Sequence, residues 1–382
     1  MTSKSHKHGK ALRIGIVSNT SFNIANYRQG LIKSLQQEGH HIIAISPLDE
    51  HTIRITNTGI EHIEIKGLAR KGTNPLNDFL LIRELRKIYK EATLDLVLQY
   101  TIKPNIYGTF AAKLIGIKTF CTVTGLGYIF LSNGIANTIA KKLYQIAFSK
   151  SDYVIFQNQD DEDVFLENGL LTKENHTVFP GSGLDTSFYH PDFCREKEKT
   201  HKIIFLMVSR LLTDKGILEY IEAARFIKEK HPETHFQVLG ELDEHNPAAI
   251  SEAQLKEWIQ EGVIEYFPFA TDIRPYVCQA DCIVLPSYRE GLPRVIVEGM
   301  SMEKFCITTD APGCKDTLID GESGLIAKVK NSDSLKEKIL EYITLDIDIK
   351  NNISKKGRIR VLEKFDQNVV NKKYSDLINR FF

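Results

Sequence analysis

Ala280-Asp281-Cys282-Ile283-Val284-Leu285-Pro286-Ser287 runs, after a two-residue step, into Glu290-Gly291-Leu292-Pro293-Arg294-Val295-Ile296-Val297-Glu298. The short β-branched run that stops at Pro286-Ser287 reads as a buried strand. Pro293, with its fixed φ and missing N–H, suits the first position of a helix. Strand, loop and helix in that order form the unit from which parallel sheets with right-handed helical crossovers are built.

The same alternation runs outward through the chain. Strands are expected at 13–18, 41–46, 94–100, 119–123, 153–157 and 176–179, with helices at 26–38, 77–91, 106–115 and 137–150. Leu80, Ile82, Leu85 and Ile88 fall at helical spacing. After Pro191 the charged stretch Arg195-Glu196-Lys197-Glu198-Lys199-Thr200 has no apolar period and reads as a linker. A second series follows, with strands at 203–208, 236–239, 282–286 and 305–308 and helices at 217–230 and 293–302. The expected fold class is α/β, two Rossmann-like doubly wound domains facing a central cleft, with ligands beyond the carboxyl ends of the strands. The expected division is a disordered tail at 1–10, an N-terminal Rossmann-like domain at 11–194, a linker at 195–200, a C-terminal Rossmann-like domain at 201–364, and a helix at 365–382 packing back on the N-terminal domain.

Two motifs carry the chemistry. In Ser209-Arg210-Leu211-Leu212-Thr213-Asp214-Lys215-Gly216 an apolar strand ends at Arg210, and Thr213 is the expected N-cap of the next helix. Lys215 then stands in a first turn, where a cation gains nothing from the helix dipole unless an anion such as a diphosphate is bound there. Arg210 offers a planar fork and Lys215 a mobile point charge. A solvated surface pair is the plain alternative. In the second motif Gly291 lets backbone come close, and the amides of Leu292, Arg294 and Val295 have no acceptor earlier in their own helix, so they are expected to meet phosphate or sugar oxygens. Glu290 is expected to accept hydrogen bonds from sugar hydroxyls, and Glu298 from both hydroxyls of a ribose, since an acceptor-only carboxylate suits a diol. A cap or ion pair is the alternative for Glu298, whose neighbours Ile296 and Val297 make an unpartnered carboxylate costly.

Lys plus Arg equals Asp plus Glu, so no overall field favours nucleic acid or anionic lipid. The six cysteines, Cys121, Cys194, Cys278, Cys282, Cys306 and Cys314, form no CxxC pair, and reduced cytosolic thiols are expected. No run approaches the roughly 20 apolar residues of a membrane span, and the basic N-terminus has no signal-type apolar stretch after it. The expected location is cytoplasmic, with the inner face of the cytoplasmic membrane as its limit.

Taken together, these motifs resemble the retaining GT-B glycosyltransferases of family 4, over nearly the whole chain. In that resemblance Arg210 and Lys215 match the diphosphate-binding pair, and Glu290 and Glu298 the EX7E carboxylates on donor sugar and ribose. Pro180-Gly181-Ser182-Gly183-Leu184-Asp185 with Phe188 and Pro191 is similar to the segment closing the N-terminal domain. Tyr100-Thr101-Ile102-Lys103-Pro104-Asn105-Ile106-Tyr107-Gly108 and Val123-Thr124-Gly125-Leu126-Gly127 resemble the branch acting on lipid-linked oligosaccharides. Many relatives have a His touching the donor sugar where this chain has Thr124, whose hydroxyl can donate but carries no charge. The resemblance implies a UDP-sugar donor, N-acetylgalactosamine being the specific expectation, an undecaprenyl-diphosphate-linked acceptor, and no cofactor. No DxD-like pair forms a metal site, so activity without metal is expected.

The first β/α turn, Ser18-Asn19-Thr20-Ser21-Phe22-Asn23-Ile24-Ala25-Asn26, lacks GxGxxG and with it a dehydrogenase fingerprint. Asn19, Asn26, Arg28 and Lys103 are the acceptor candidates, with turn chemistry and an exposed Arg as the plain alternative. Ile129, Phe130, Leu131, Ile135, Ile139, Leu143, Ile146 and Phe148 beside Lys141, Lys142 and Lys150 read either as a surface resting on anionic lipid or as a helix packed on its own sheet. Gly313, Cys314 and Lys315 are further candidates near the donor. The competing functions are a UDP-sugar epimerase, a non-catalytic nucleotide-sugar-binding protein and an inverting transferase of the same fold.

Overall fold

The computed structural model describes residues 10–68, 75–126, 135–171, 174–194, 202–243 and 246–382. The expected tail up to residue 9, the linker 195–200, and 127–131 of the segments noted above lie outside the described residues. Contacts divide the chain into two compact units, Met1–Gly183 with Gln367–Phe382, and Leu184–Asp366.

In the first unit β1 (Arg13–Val17), β2 (His41–Ser46), β3 (Glu61–Glu64), β4 (Leu96–Tyr100), β5 (Lys118–Val123), β6 (Tyr153–Phe156) and β7 (His176–Val178) form a parallel sheet in the order β3-β2-β1-β4-β5-β6-β7. The order reverses between β1 and β4, where Val17 is registered with Gln99. Both faces are covered, which is why the central strands read as unbroken apolar runs rather than alternating ones. Val97 joins Leu81 and Leu85 of helix Pro75–Glu91 and Tyr144 and Phe148 of helix Ile135–Lys150 in one core. Leu96 and Leu98 join Leu31, Ile32 and Leu35 of helix Gln29–Gln37 in the other, together with Val370, Tyr374, Leu377 and Ile378 of the C-terminal helix Gln367–Asn379.

The helix expected at 26–38 is two helices, Ser21–Tyr27 and Gln29–Gln37, meeting at Arg28. The first begins early because the Thr20 hydroxyl accepts the Asn23 N–H at 3.2 Å and caps it. The segment expected as a helix at 106–115 opens with a widened π-type turn, Pro104–Gly108, before the α-helical Thr109–Lys113.

In the second unit β8 (Ile203–Val208), β9 (Thr234–Leu239), β10 (Glu265–Phe267), β11 (Cys282–Leu285), β12 (Phe305–Thr309) and β13 (Leu325–Ala327) form a parallel sheet in the order β10-β9-β8-β11-β12-β13. Its reversal lies between β8 and β11. Phe205 and Phe236 stack at 4.9 Å in its core. The division between the units falls at Gly183, ahead of the expected boundary at 194, because Leu184 donates its N–H to Phe365 O at 2.8 Å and the Thr186 hydroxyl donates to the Asp366 carboxylate at 2.6 Å. These bonds hold the entering and leaving strands of chain in the second unit.

One expectation is overturned. Cys194 and Cys278 form a disulfide that joins the turn Pro191–Cys194 to helix Arg274–Gln279. A spacing argument misses it because 84 positions separate the two thiols in sequence while the fold sets their Cα atoms 5.0 Å apart. Cys121, Cys282, Cys306 and Cys314 are free and buried. Cysteine usage therefore no longer argues for a reducing compartment. Among the described residues no helix is long and apolar enough to cross a membrane.

Candidate functional site

Three loops converge beyond the carboxyl ends of β8, β11 and β12 in the second unit. After β8 the chain makes a single tight turn, Thr213–Lys215, and enters helix Ile217–Lys230 through Gly216. Thr213 is therefore not the N-cap; Gly216 is, in left-handed backbone at φ 75°, and Lys215 stands just ahead of the helix. A Cβ on Gly216 would lie 2.0 Å from Pro286 O, so only glycine lets this turn press against the end of β11. Asp214 O then accepts the Tyr288 N–H at 2.9 Å and the Ser287 hydroxyl at 3.2 Å. The third loop closes from below, with the Glu290 N–H on Pro312 O at 3.0 Å. Gly313 sits where a Cβ would meet Glu290 O at 2.2 Å, which makes it a close-approach residue.

These contacts bring Lys215 and Glu290 together. The Lys215 ammonium donates to Glu290 Oε1 at 2.6 Å, and the Ser287 hydroxyl donates to the same oxygen at 2.9 Å. Both charged side chains are 17% exposed. Burial works against the Lys215 charge, but the Glu290 carboxylate outweighs it and holds the ammonium above its ordinary value. Arg210 extends from the end of β8 to Asp243 at 3.1 Å and remains 45% exposed.

Helix Arg294–Ser301 starts one residue later than expected, with Pro293 as N-cap in extended backbone rather than as its first residue. Glu298 is nearly buried and accepts from Arg294 Nε at 3.1 Å, one turn earlier on the same face. Arg294, expected to contribute its amide, thus also contributes its side chain. Tyr189, which no sequence signal marked, lies against the same carboxylate: burial, then Glu298, push its phenol well above the usual range. The Ser301 hydroxyl donates to Tyr189 O at 2.6 Å and holds that segment on the helix. Gly291 is buried in the loop, with Leu292 half-buried and Val295 buried at the helix start. Cys314 is buried with its thiol pushed up to about 12, and Lys315 is exposed.

The remaining candidates belong to the first unit. Thr124 follows β5 and is half-buried. Asn19 follows β1, and Asn26 donates to Phe22 O at 3.1 Å within its own helix. Lys103 is paired with Asp78 at 3.3 Å, which also accepts the Tyr107 hydroxyl at 2.6 Å. Arg28 is not the exposed side chain of the plain alternative but is 2% exposed. Among the described residues no group of three His, Cys, Asp or Glu side chains is placed to hold a metal ion.

Residues 192–360 match the family model of glycosyl transferases group 1, and residues 16–158 that of glycosyl transferase 4-like domains. The chain is 28% identical, over 97% of its length and 99% of the relative's, to the N,N'-diacetylbacillosaminyl-diphospho-undecaprenol alpha-1,3-N-acetylgalactosaminyltransferase of Campylobacter jejuni. It is 25% identical, over 76% of each chain, to the UDP-Gal:alpha-D-GlcNAc-diphosphoundecaprenol alpha-1,3-galactosyltransferase of Escherichia coli. A solved glycosyltransferase from Rickettsia africae shares the fold at a TM-score of 0.80, with 24% identity over 96% of this chain and 97% of that one. One family model falls on each unit and the fold is shared from end to end, so the chain belongs to the GT-B glycosyltransferases, with a 4-like first domain and a group 1 second domain.

Proposed function

We propose that this enzyme transfers a hexose or N-acetylhexosamine, with N-acetylgalactosamine as the specific expectation, from a UDP-sugar to an undecaprenyl-diphosphate-linked sugar, with retention at the anomeric carbon and without a metal ion. The observation that carries the reading is the Lys215–Glu290 contact at 2.6 Å, set at the strand reversal where doubly wound sheets bind ligands. An ammonium has three N–H donors, so Lys215 can hold Glu290 and still meet a diphosphate oxygen. The relatives' names supply the donor and acceptor classes, since one names UDP-galactose and both name a diphosphoundecaprenol.

In the proposed transfer the acceptor oxygen bonds to the anomeric carbon on the face that the phosphate leaves. The carbon–oxygen bond to UDP breaks, its electron pair stays on the β-phosphate oxygen, and that oxygen takes the acceptor proton. Lys215, Arg210 and the amides at the start of helix Arg294–Ser301 hold the growing charge, and Glu298 with Arg294 holds the ribose. We also place the enzyme at the cytoplasmic face of the membrane. Exposed Leu76, Phe79 and Leu80 on helix Pro75–Glu91, beside exposed Arg83, Arg86 and Lys87, support peripheral contact there.

The test is to incubate the purified protein, with and without EDTA, with a panel of UDP-sugars and a lipid-linked acceptor, and to read the product's anomeric configuration by NMR. Retention and EDTA-resistant turnover are expected. An inverted product or turnover abolished by EDTA refutes the mechanism, and conversion of UDP-sugar without acceptor refutes transfer itself.

A further inference from the structure

We infer that Arg28 is the centre of a buried anion receptor in the first unit, and that its ligand is the phosphate group of the acceptor. Arg28 joins helices Ser21–Tyr27 and Gln29–Gln37 and is 2% exposed. Its guanidinium lies 3.8 Å from the centre of the Tyr100 ring, and no carboxylate is paired with it among the described residues. A desolvated cation with only an aromatic face as company is costly, because the ring returns a small part of the lost hydration. Folds tolerate such a charge where an anion completes it.

The surroundings point the same way. Arg28 Nε, Ser18 Oγ, both ends of the Gln29 amide and Thr101 Oγ1 are all buried without a hydrogen-bond partner. Ser18 directly follows β1 and Tyr100 ends β4, the two strands between which the sheet order reverses. Thr101 sits in left-handed backbone at φ 73°, a strained setting for a β-branched residue. Unsatisfied donors, an unpaired cation and backbone strain thus coincide at the place where a doubly wound sheet receives its ligand. The residues of the proposed donor site come from the other unit, and the receptor is assigned an anion of its own. The choice of a lipid diphosphate headgroup rests on the function proposed above; a free phosphate has the same chemistry.

The experiment uses the full chain with UDP at saturation, so that the donor site is filled, and measures calorimetric binding and unfolding midpoints with farnesyl diphosphate and with inorganic pyrophosphate. Wild type is expected to bind, and Arg28→Met to bind at least tenfold more weakly. Without ligand, Arg28→Met should unfold at the wild-type midpoint or above it, because it removes an unpaired buried charge. Ser18→Ala, which deletes a hydroxyl the fold does not use, should keep its midpoint and bind severalfold more weakly. Tighter binding of farnesyl diphosphate than of pyrophosphate assigns the anion to a lipid headgroup, while equal binding assigns it to a free anion and upholds the receptor alone. Binding that is absent in wild type, or undiminished in both variants, overturns the receptor, as does a sharply lowered midpoint in Arg28→Met, which would make the arginine a structural partner of Tyr100. UDP binding is expected to be unchanged in every variant, and its absence in wild type would count against the donor assignment alone.

Discussion

At Lys215 one ammonium has two anions to serve. In the folded chain it holds Glu290 at 2.6 Å, and in the proposed reaction it also faces the departing phosphate. Removing a contact of this kind from comparable sites costs about 3–4 kcal/mol, or roughly two to three orders of magnitude in kcat. Lys215→Ala and Arg210→Ala should each lower kcat on that scale in a UDP-release assay, and near-normal turnover in both would sink the assignment. The protonation of Lys215 gives a second check. Glu290 raises its pKa above the ordinary 10.5 against the pull of burial. The folded chain therefore favours the protonated form, so its stabilisation is complete below 10.5 and fades as pH rises through the raised folded value. The difference in urea midpoint between wild type and Lys215→Met should be flat from about pH 6 to about pH 9 and narrow only beyond 10.5. Glu290 and Arg210 were legible in sequence because each follows an apolar run. Their partners Ser287 and Asp243 were not, since both sit on loops whose course depends on where Gly216 and Gly240 allow backbones to meet.

Element by element, the interior of each sheet was easy to read, and of the four edge strands only β7 (His176–Val178) was. β1, β2, β4, β5, β8 and β11 are apolar runs whose burial on both faces leaves a plain record in sequence. The edge strand β3 is Glu61-His62-Ile63-Glu64, β10 is Glu265-Tyr266-Phe267 and β13 is Leu325-Ile326-Ala327, too short and in part too polar to stand out from a loop. Tight turns hold more of the site than the helices that follow them, and Gly216 is the sharpest instance. Gly216→Ala would suffer left-handed strain of about 1–2 kcal/mol and, in addition, a clash with Pro286 O. Gly39, at φ 90° with nothing within 4 Å of its would-be Cβ, isolates the strain alone. The urea midpoint should fall further for Gly216→Ala than for Gly39→Ala, and only the former should weaken UDP binding in calorimetry. The disulfide is an element-scale contact that sequence spacing hid: thiol titration of the unfolded, unreduced chain should count four free cysteines, Cys121, Cys282, Cys306 and Cys314.

For the molecule as a whole, two β/α series were legible from the reset of the apolar pattern, but the point of division was not, because Leu184 and Asp366 declare their unit through contacts between distant parts of the chain. The consequence is a first unit assembled from two distant pieces of sequence. Helix Gln367–Asn379 places Val370, Tyr374, Leu377 and Ile378 in the core under β1, β4 and β5, and the Tyr374 ring meets Phe179 at 5.0 Å. Full burial of side chains of this size contributes about 1.5–3 kcal/mol each, an upper figure given the compactness of unfolded chains, so together they rival the whole stability of an ordinary domain, about 5–15 kcal/mol. A chain ending at Asp366 should therefore lose the fold of its first unit while the second, whose core is built from residues within Leu184–Asp366, keeps its own. Limited proteolysis should digest the truncated protein down to a fragment close to that second unit, and the fragment should still release heat on binding UDP although transfer to any acceptor is gone. Survival of the first unit without its last helix would mean that the β1–β4 face is closed by other residues than the four named here.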